Sequence, residues 1–312
     1  MASAGLIAAL GYALSSLLIV YLNKFVFLVL RFPHPCTLTC ISQLHVLLFL
    51  WALRKAGAIS LRRPTAAQFR RLLPVCACGA ANTVLGVASL LALSVPMMTV
   101  LRKLTAAMIL ATDYVVRGKR ESASVTGSVA LMTAGAIIAG SADLNFNLAG
   151  YVLVFLNNGF TSLYLVLMKR AGEGDDSVGP LEIMMYNAML GAPAALLAAA
   201  LTGELPVALP LLQVASARQL LVIGPVNGAM GFVINYFVNW CTQANSPLTT
   251  AVTGQAKNVV TTIIGFWAFG EYRYSLTNVL GIGVVYCGST VYAVARFKEK
   301  QQSELPVNSH NP

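Results

Sequence analysis

Ten apolar runs, each bounded by charges or by clusters of Gly, Pro, Asn and Ser, take up most of this chain. They fall at about residues 4–30, 36–53, 72–93, 96–116, 124–141, 149–168, 181–201, 219–241, 247–269 and 275–295. A helix crosses the hydrocarbon of a bilayer with about 20 apolar residues, so ten crossings take roughly 200 residues. In a chain of 312 residues, only short loops are left. Soluble domains carry about a quarter charged residues; this chain has 10%, with 57% hydrophobic residues and a mean hydropathy of +0.72. A water-soluble globule, a disordered tail, a coiled coil and a disulfide-stapled secreted module are all excluded. The expectation is an all-α polytopic protein in the lipid bilayer, one membrane domain over 1–298, with a disordered cytosolic tail over 299–312. Nine crossings are the alternative, because the first run is long; ten fits the charges better.

With the N-terminus cytosolic and loops alternating, one side receives Arg54, Lys55, Arg62, Arg63, Arg70, Arg71, Arg117, Lys119, Arg120, Lys169, Arg170, Arg296, Lys298 and Lys300. The other receives Arg31, Arg218 and Arg273 only. That asymmetry is the positive-inside pattern and puts both termini in the cytosol. The formal net charge of +10 is therefore mostly topology, and nucleic acid is not called for. The first run has no basic n-region and is too long for an h-region, so it is not read as a cleavable signal peptide. Cys36, Cys40, Cys76, Cys78, Cys241 and Cys287 fall within or at the edges of runs without zinc-ligand spacing to histidine, and read as small buried hydrophobes. His45 reads as a hydrogen-bonded interior residue. No metal and no cofactor are implied.

Lys24, Arg102, Lys103, Lys257 and Asp113 remain inside the runs. A charge in hydrocarbon costs at least about 2.5–3.5 kcal/mol on insertion scales, so it faces a cavity or a partner. Asp113 is expected to pair locally, near Arg117. Lys24 suits either a site or a snorkelling interface. Arg102 and Lys103 are adjacent, so they point about 100° apart on a helix and are not expected to face one cavity centre. Lys257 lies ten residues past Pro247, about 15 Å into a core of about 30 Å. Thr250, Gly254, Lys257 and Thr261 make one small, polar stripe.

Lys103 and Lys257 are 154 residues apart, as are Gly127 and Gly281, and each follows a Ser–Pro turn at Ser94–Pro96 or Ser246–Pro247. An odd number of crossings per half inverts one half relative to the other. The expected plan is ten transmembrane helices as two inverted five-helix repeats, about 1–145 and 146–298, with a site near the midplane between them. Two lysines converging there suit an anion, and a diphosphate above all, since an ammonium binds phosphate as a point charge. Asn157, Asn158, Tyr164, Tyr186, Asn187, Asn235 and Asn258 carry groups able to read a nucleobase edge or sugar hydroxyls, or else to bond helix to helix.

These residues resemble the nucleotide-sugar transporters of the drug/metabolite transporter superfamily, closest to the branch carrying UDP-glucuronic acid, UDP-N-acetylgalactosamine and related UDP-sugars. The resemblance rests on Val20-Tyr-Leu-Asn-Lys24 with Phe32-Pro-His-Pro35, Val95-Pro-Met-Met-Thr-Val-Leu-Arg-Lys103, Gly140-Ser-Ala-Asp-Leu144, Met185-Tyr-Asn-Ala188 and Ser246-Pro-Leu-Thr-Thr-Ala-Val-Thr-Gly-Gln-Ala-Lys-Asn258. It implies exchange of cytosolic nucleotide sugar for lumenal nucleoside monophosphate in the Golgi, with the ER as the alternative. It also implies phosphate-contacting lysines at Lys103 and Lys257, nucleoside or sugar contacts at Tyr186, Asn187 and Asn258, and close approach at Gly254. Carriers of GDP-mannose have Phe-Tyr-Asn-Asn and Gly-Ala-Leu-Asn-Lys where this chain has Met185-Tyr-Asn-Ala188 and Gly254-Gln-Ala-Lys-Asn258. The departures favour a UDP-sugar over a GDP-sugar, and phosphorylated metabolites are the other transport alternative. A membrane-embedded transferase would need metal-binding acidic residues, and the sequence has no Asp-x-Asp; a non-transporting scaffold is the remaining class. The sequence leaves open whether the chain acts alone or as a homodimer.

Overall fold

The computed structural model describes residues 2–62, 65–92, 101–141, 147–173, 177–254 and 276–304. Among these every regular element is helical. In lipid no water satisfies backbone N–H and C=O groups, so the local hydrogen bonding of a helix is the economical solution. The helices are α1 (Ala2–Lys24, extended by a π-helical turn Phe25–Val29) and α2 (Pro35–Lys55). Next come α3 (Ala66–Ala92) and α4 (Thr105–Arg117, preceded by a 3-10 turn Arg102–Leu104). Then follow α5 (Ala123–Gly140), α6 (Leu148–Ala171), α7 (Pro180–Leu201) and α8 (Leu205–Val214). The chain continues through α9 (Ala217–Ala244), α10 (247–254 as described) and α11 (Leu276–Glu304).

Five of these are long and apolar enough to cross a membrane: Ala4–Val29, Pro35–Lys55, Leu148–Ala171, Pro180–Leu201 and Ala217–Ala244. The chain is a multi-pass membrane protein, and α1 displays the reason at residue level. Leu6, Leu10, Leu14 and Leu18 are exposed at four-residue intervals, whereas Ala8, Ser15 and Ser16 are buried. Large aliphatics face outward and small or polar residues inward, the arrangement a helix needs when lipid is as apolar as leucine.

Local signals set several helix starts. Ser122, Asn147 and Ser216 each accept a hydrogen bond from a backbone N–H of the following turn, as N-cap residues do. Pro35 and Pro180 open α2 and α7, where the missing N–H costs nothing. His34 provides no side-chain cap for α2. Instead Glu204, just after α7, accepts from Thr37 N–H at 2.8 Å and Cys36 N–H at 3.2 Å. A carboxylate at that end also complements the helix dipole.

Two features differ from the sequence expectation. Residues 205–214, read as part of a connection, form α8; Pro206 sits in its first turn, where proline is tolerated. The expected tail begins inside a helix, because α11 continues through Glu304.

The helices pair as α5 with α11, α3 with α6 and α7, α1 with α9, α2 with α7 and α9, and α4 with α6. At the α5–α11 contact the backbones nearly touch. A Cβ on Gly135 would stand 2.8 Å from Gly281 O and Val285 N, and one on Gly288 would stand 2.9 Å from Met132 N. Gly127, by contrast, faces open space. The main apolar core includes Leu50, Leu72, Ile109, Met168, Met184 and Leu248. In sequence these lie beside Arg54, Arg70, Lys169 and Glu182, so the core fills the basic end of the bundle and leaves room toward the other end.

Candidate functional site

Beyond that core lies a cavity of about 650 Å³, walled by α1, α2, α3, the turn before α4, α6, α9 and α10. Arg102 and Lys103 both line it, and no described lining residue is a carboxylate. Carboxamides surround the two cations: Asn23, Gln43, Asn82, Asn157, Asn158, Asn227 and Asn235.

Lys103 is only 6% exposed and its Nζ stands 5.9 Å from the centroid of the Tyr286 ring on α11, a cation–π distance. Arg102 turns the other way. Its guanidinium reaches over Gly86 of α3, where an added Cβ would be 3.1 Å from Nη2, and donates to Asn157 Oδ1 at 3.4 Å. The two side chains do diverge, as adjacent helical residues must. Both nevertheless border one cavity, from different walls, because the space is wide enough for the two.

Asn157 donates to Asn82 O at 2.6 Å and to Asn82 Oδ1 at 2.8 Å, and Thr161 donates to the same Oδ1 at 2.6 Å. Asn158 is fully buried and serves the turn carrying the cations. In that turn Thr105 N–H bonds to Arg102 O, the i→i+3 pattern of a 3-10 turn, and Asn158 Nδ2 donates to Leu101 O at 2.9 Å. The Thr105 hydroxyl lies 2.6 Å from Arg102 O and 3.0 Å from Asn158 Oδ1. Across the cavity Asn227 donates to Asn23 Oδ1 at 2.8 Å, joining α9 to α1.

The other sequence-selected residues are placed as follows. Gly254 and Thr250, the described part of the polar stripe, line the cavity; what comes close to Gly254 is the Tyr12 hydroxyl, 2.7 Å from where a Cβ would stand. Tyr186 is outside the lining. It is 1% exposed, and its hydroxyl donates to Gln68 Oε1 at 3.1 Å and accepts from Thr65 N–H at 3.3 Å. It faces α3 at the basic end, because the neighbouring residue Asn187 occupies the face toward α6. Asn187 is also outside the lining, and acts through Tyr164: it donates to the Tyr164 hydroxyl at 2.7 Å, and Tyr164 lines the cavity. Lys24 ends α1 next to the cavity residue Asn23; Lys257 and Asn258 lie outside the described residues.

Asp113, 2% exposed, pairs with Arg117 at 2.9 Å, and Arg117 also reaches Glu173 at 2.5 Å. His45 Nδ1 lies 2.8 Å from Ile41 O, in keeping with an interior hydrogen-bonded histidine. Sequence reasoning passed over Tyr12, Asn23, Gln43, Asn82 and Asn227 as cavity residues. Their signal was the one that flagged Asn157: a polar side chain inside an apolar run.

Comparison with known proteins agrees with this picture. The UDP-galactose/UDP-glucose transporter 7 of Arabidopsis thaliana is 33% identical over 300 residues, spanning 96% of this chain and 92% of its own. The nucleotide sugar transporter SLC35D2 of Homo sapiens is 32% identical over 308 residues, spanning 99% and 90%. The UDP-N-acetylglucosamine transporter UGNT1 of Arabidopsis thaliana is 30% identical over 308 residues, spanning 94% and 88%. All three are transporters by name, not enzymes. A solved structure with 16% sequence identity superposes at a TM-score of 0.65 over 96% of this chain and 99% of its own, a common fold. Residues 2–293 match the Triose-phosphate Transporter family, and the chain belongs to it.

Proposed function

We propose that this protein is a nucleotide-sugar antiporter that exchanges cytosolic UDP-sugar for lumenal UMP across the Golgi membrane, both termini facing the cytosol. The observation that carries the reading is the cavity itself: two cations, seven carboxamides and no described carboxylate around about 650 Å³. Cations hold phosphates and amides read a base or sugar hydroxyls. The relatives named for UDP-galactose, UDP-glucose and UDP-N-acetylglucosamine support the class of cargo.

Ten crossings in two inverted repeats account for the helix pairing. Exchanging the first five crossings for the last five turns the α1–α9 contact into α6–α3 and the α2–α9 contact into α7–α3. It leaves α2–α7 and α5–α11 unchanged, and all of these pairs occur. An arrangement of this kind lets the halves rock about one site. At the basic end Lys169 Nζ donates to Gln243 O and Gln243 Nε2 to Val178 O at 2.9 Å, bracing the second half, and Asn245 Nδ2 ties that half to the first through Gly5 O at 3.0 Å. Alternating access requires that tie to open.

The test is exchange in proteoliposomes loaded with UMP and supplied with labelled UDP-sugar. Wild-type protein exchanges, UMP competes better than GMP or triose phosphate, and Lys257→Ala abolishes exchange while the protein stays folded. Near-normal exchange by that variant would remove Lys257 from the site, and stronger competition by GMP would replace uridine with guanosine.

A further inference from the structure

Arg102 has no place in the lysine-based reading of the site, yet it is the more exposed of the two cations on the cavity wall. Its hydrogen bond to Asn157 Oδ1 is long, at 3.4 Å, and the acceptor is a neutral amide. No described carboxylate forms an ion pair with Arg102, in contrast to Arg117 with Asp113. Asn157 does not depend on it, because its Nδ2 is committed to Asn82 by two shorter bonds. Gly86 supplies the opening through which the guanidinium passes, and any larger residue there would push on Nη2. An arginine held so lightly, beside a polar cavity, is poised for an oxyanion. Its planar fork is suited to gripping a phosphoryl group with two parallel N–H donors.

Lys103 and Arg102 diverge, one toward Tyr286 and the other toward Asn157. They therefore border different parts of the same space. One phosphoryl group cannot sit at its best on both, but two linked phosphoryl groups can.

We infer that Arg102 is a specificity-determining residue that takes the second phosphoryl group of a nucleoside diphosphate ligand, exchanging its bond to Asn157 for phosphoryl oxygens. The inference rests on the nucleotide reading of the cavity and adds what separates the two cargoes. A UDP-sugar engages both Lys103 and Arg102, whereas a monophosphate engages Lys103 with Arg102 still on Asn157. No covalent step is involved.

The experiment is inhibition of labelled-nucleotide exchange in proteoliposomes by uridine, UMP, UDP and UDP-glucose, with the guanosine series run beside it. Arg102→Gln is expected to weaken UDP and UDP-glucose at least tenfold while moving UMP less than about twofold, a ratio corresponding to one lost charged contact. Arg102→Lys keeps the charge without the fork, and is expected to give an intermediate ratio. Lys103→Gln is expected to weaken monophosphate and diphosphate together. Equal weakening of UMP and UDP by Arg102→Gln, or no change in either, overturns the inference. If Arg102→Gln does not purify as a folded protein, Arg102→Lys decides it, and an unchanged UMP-to-UDP ratio there overturns it. The wild-type panel reports separately on the broader reading: competition by no nucleotide at all sinks the nucleotide site, whereas competition by the guanosine series changes the base and leaves the ratio test intact.

Discussion

The carboxamide of Asn158 has two hydrogen-bonding ends, and both are committed to the turn that bears the cations. Where Thr105 N–H bonds to Arg102 O, the Leu101 carbonyl is no longer its acceptor, and the Asn158 amide supplies a donor. Asn158→Ala removes the second donor to that carbonyl, which then keeps only the Leu104 N–H of the 3-10 turn, a loss of about 0.5–1.5 kcal/mol. The expected result is a lower thermal midpoint in detergent and reduced exchange, with Asn158→Gln recovering part of both; an unchanged midpoint would mean that the turn does not depend on this bond. At this scale the sequence was only partly legible. Asp113 and Arg117 lie one turn apart on a single helix, so their pairing follows from spacing alone. Asn157 and Asn158 stood out as polar residues in an apolar run, but nothing in spacing reveals a tightened turn on another helix waiting for a donor. Arg102 stood out as a charge inside an apolar run, but its sharing a cavity with Lys103 was not legible: the angle between neighbouring side chains is a local property, whereas the width of a cavity belongs to the whole bundle.

Between elements, the contact of α5 with α11 is governed by glycine. Gly135 turns its Cα to the backbone of α11, and Gly288 turns its own to the backbone of α5. Close approach of this kind gives van der Waals contact that larger residues would forbid. Gly135→Val puts new atoms against backbone that cannot rotate away, so the helices must separate, and the expected outcome is a loss of folded protein in size-exclusion chromatography. Gly127→Ala, on the same helix but facing open space, is expected to be neutral or stabilising, by up to about 1 kcal/mol from helix propensity. Equal tolerance of the two would mean that the helices do not meet through Gly135. Gly127 and Gly281 had been matched by their common offset, but the offset does not carry a common role, since only Gly281 lies at the contact. Among the described residues the helix positions were otherwise legible, because long apolar runs in lipid have few alternatives to a helix. The element that escaped, α8, carries Pro206 and Pro210, residues that read as loop until their place in the helix is known.

For the whole molecule, the decisive asymmetry is between its two ends. Apolar core and polar ties occupy the basic end, and the cavity lies beyond them. Asn245, just after α9, donates to the Gly5 carbonyl near the start of α1, so a crossing from each half meets the other at the membrane boundary. A neutral hydrogen bond contributes about 0.5–1.5 kcal/mol, so removing the Asn245 amide should move a two-state equilibrium by about twofold to tenfold toward a conformation open at that end. A single cysteine at Thr39, which lines the cavity, reports the change once the native cysteines are replaced. In oriented vesicles a membrane-impermeant thiol reagent should label it slowly from the basic side in the parent protein. With Asn245→Ala, labelling from the basic side should rise several-fold and labelling from the opposite side should fall. The fall matters, because a merely loosened bundle would label faster from both sides. Faster labelling from both sides would therefore reject the tie as a gate while leaving the cavity and its two cations as the site.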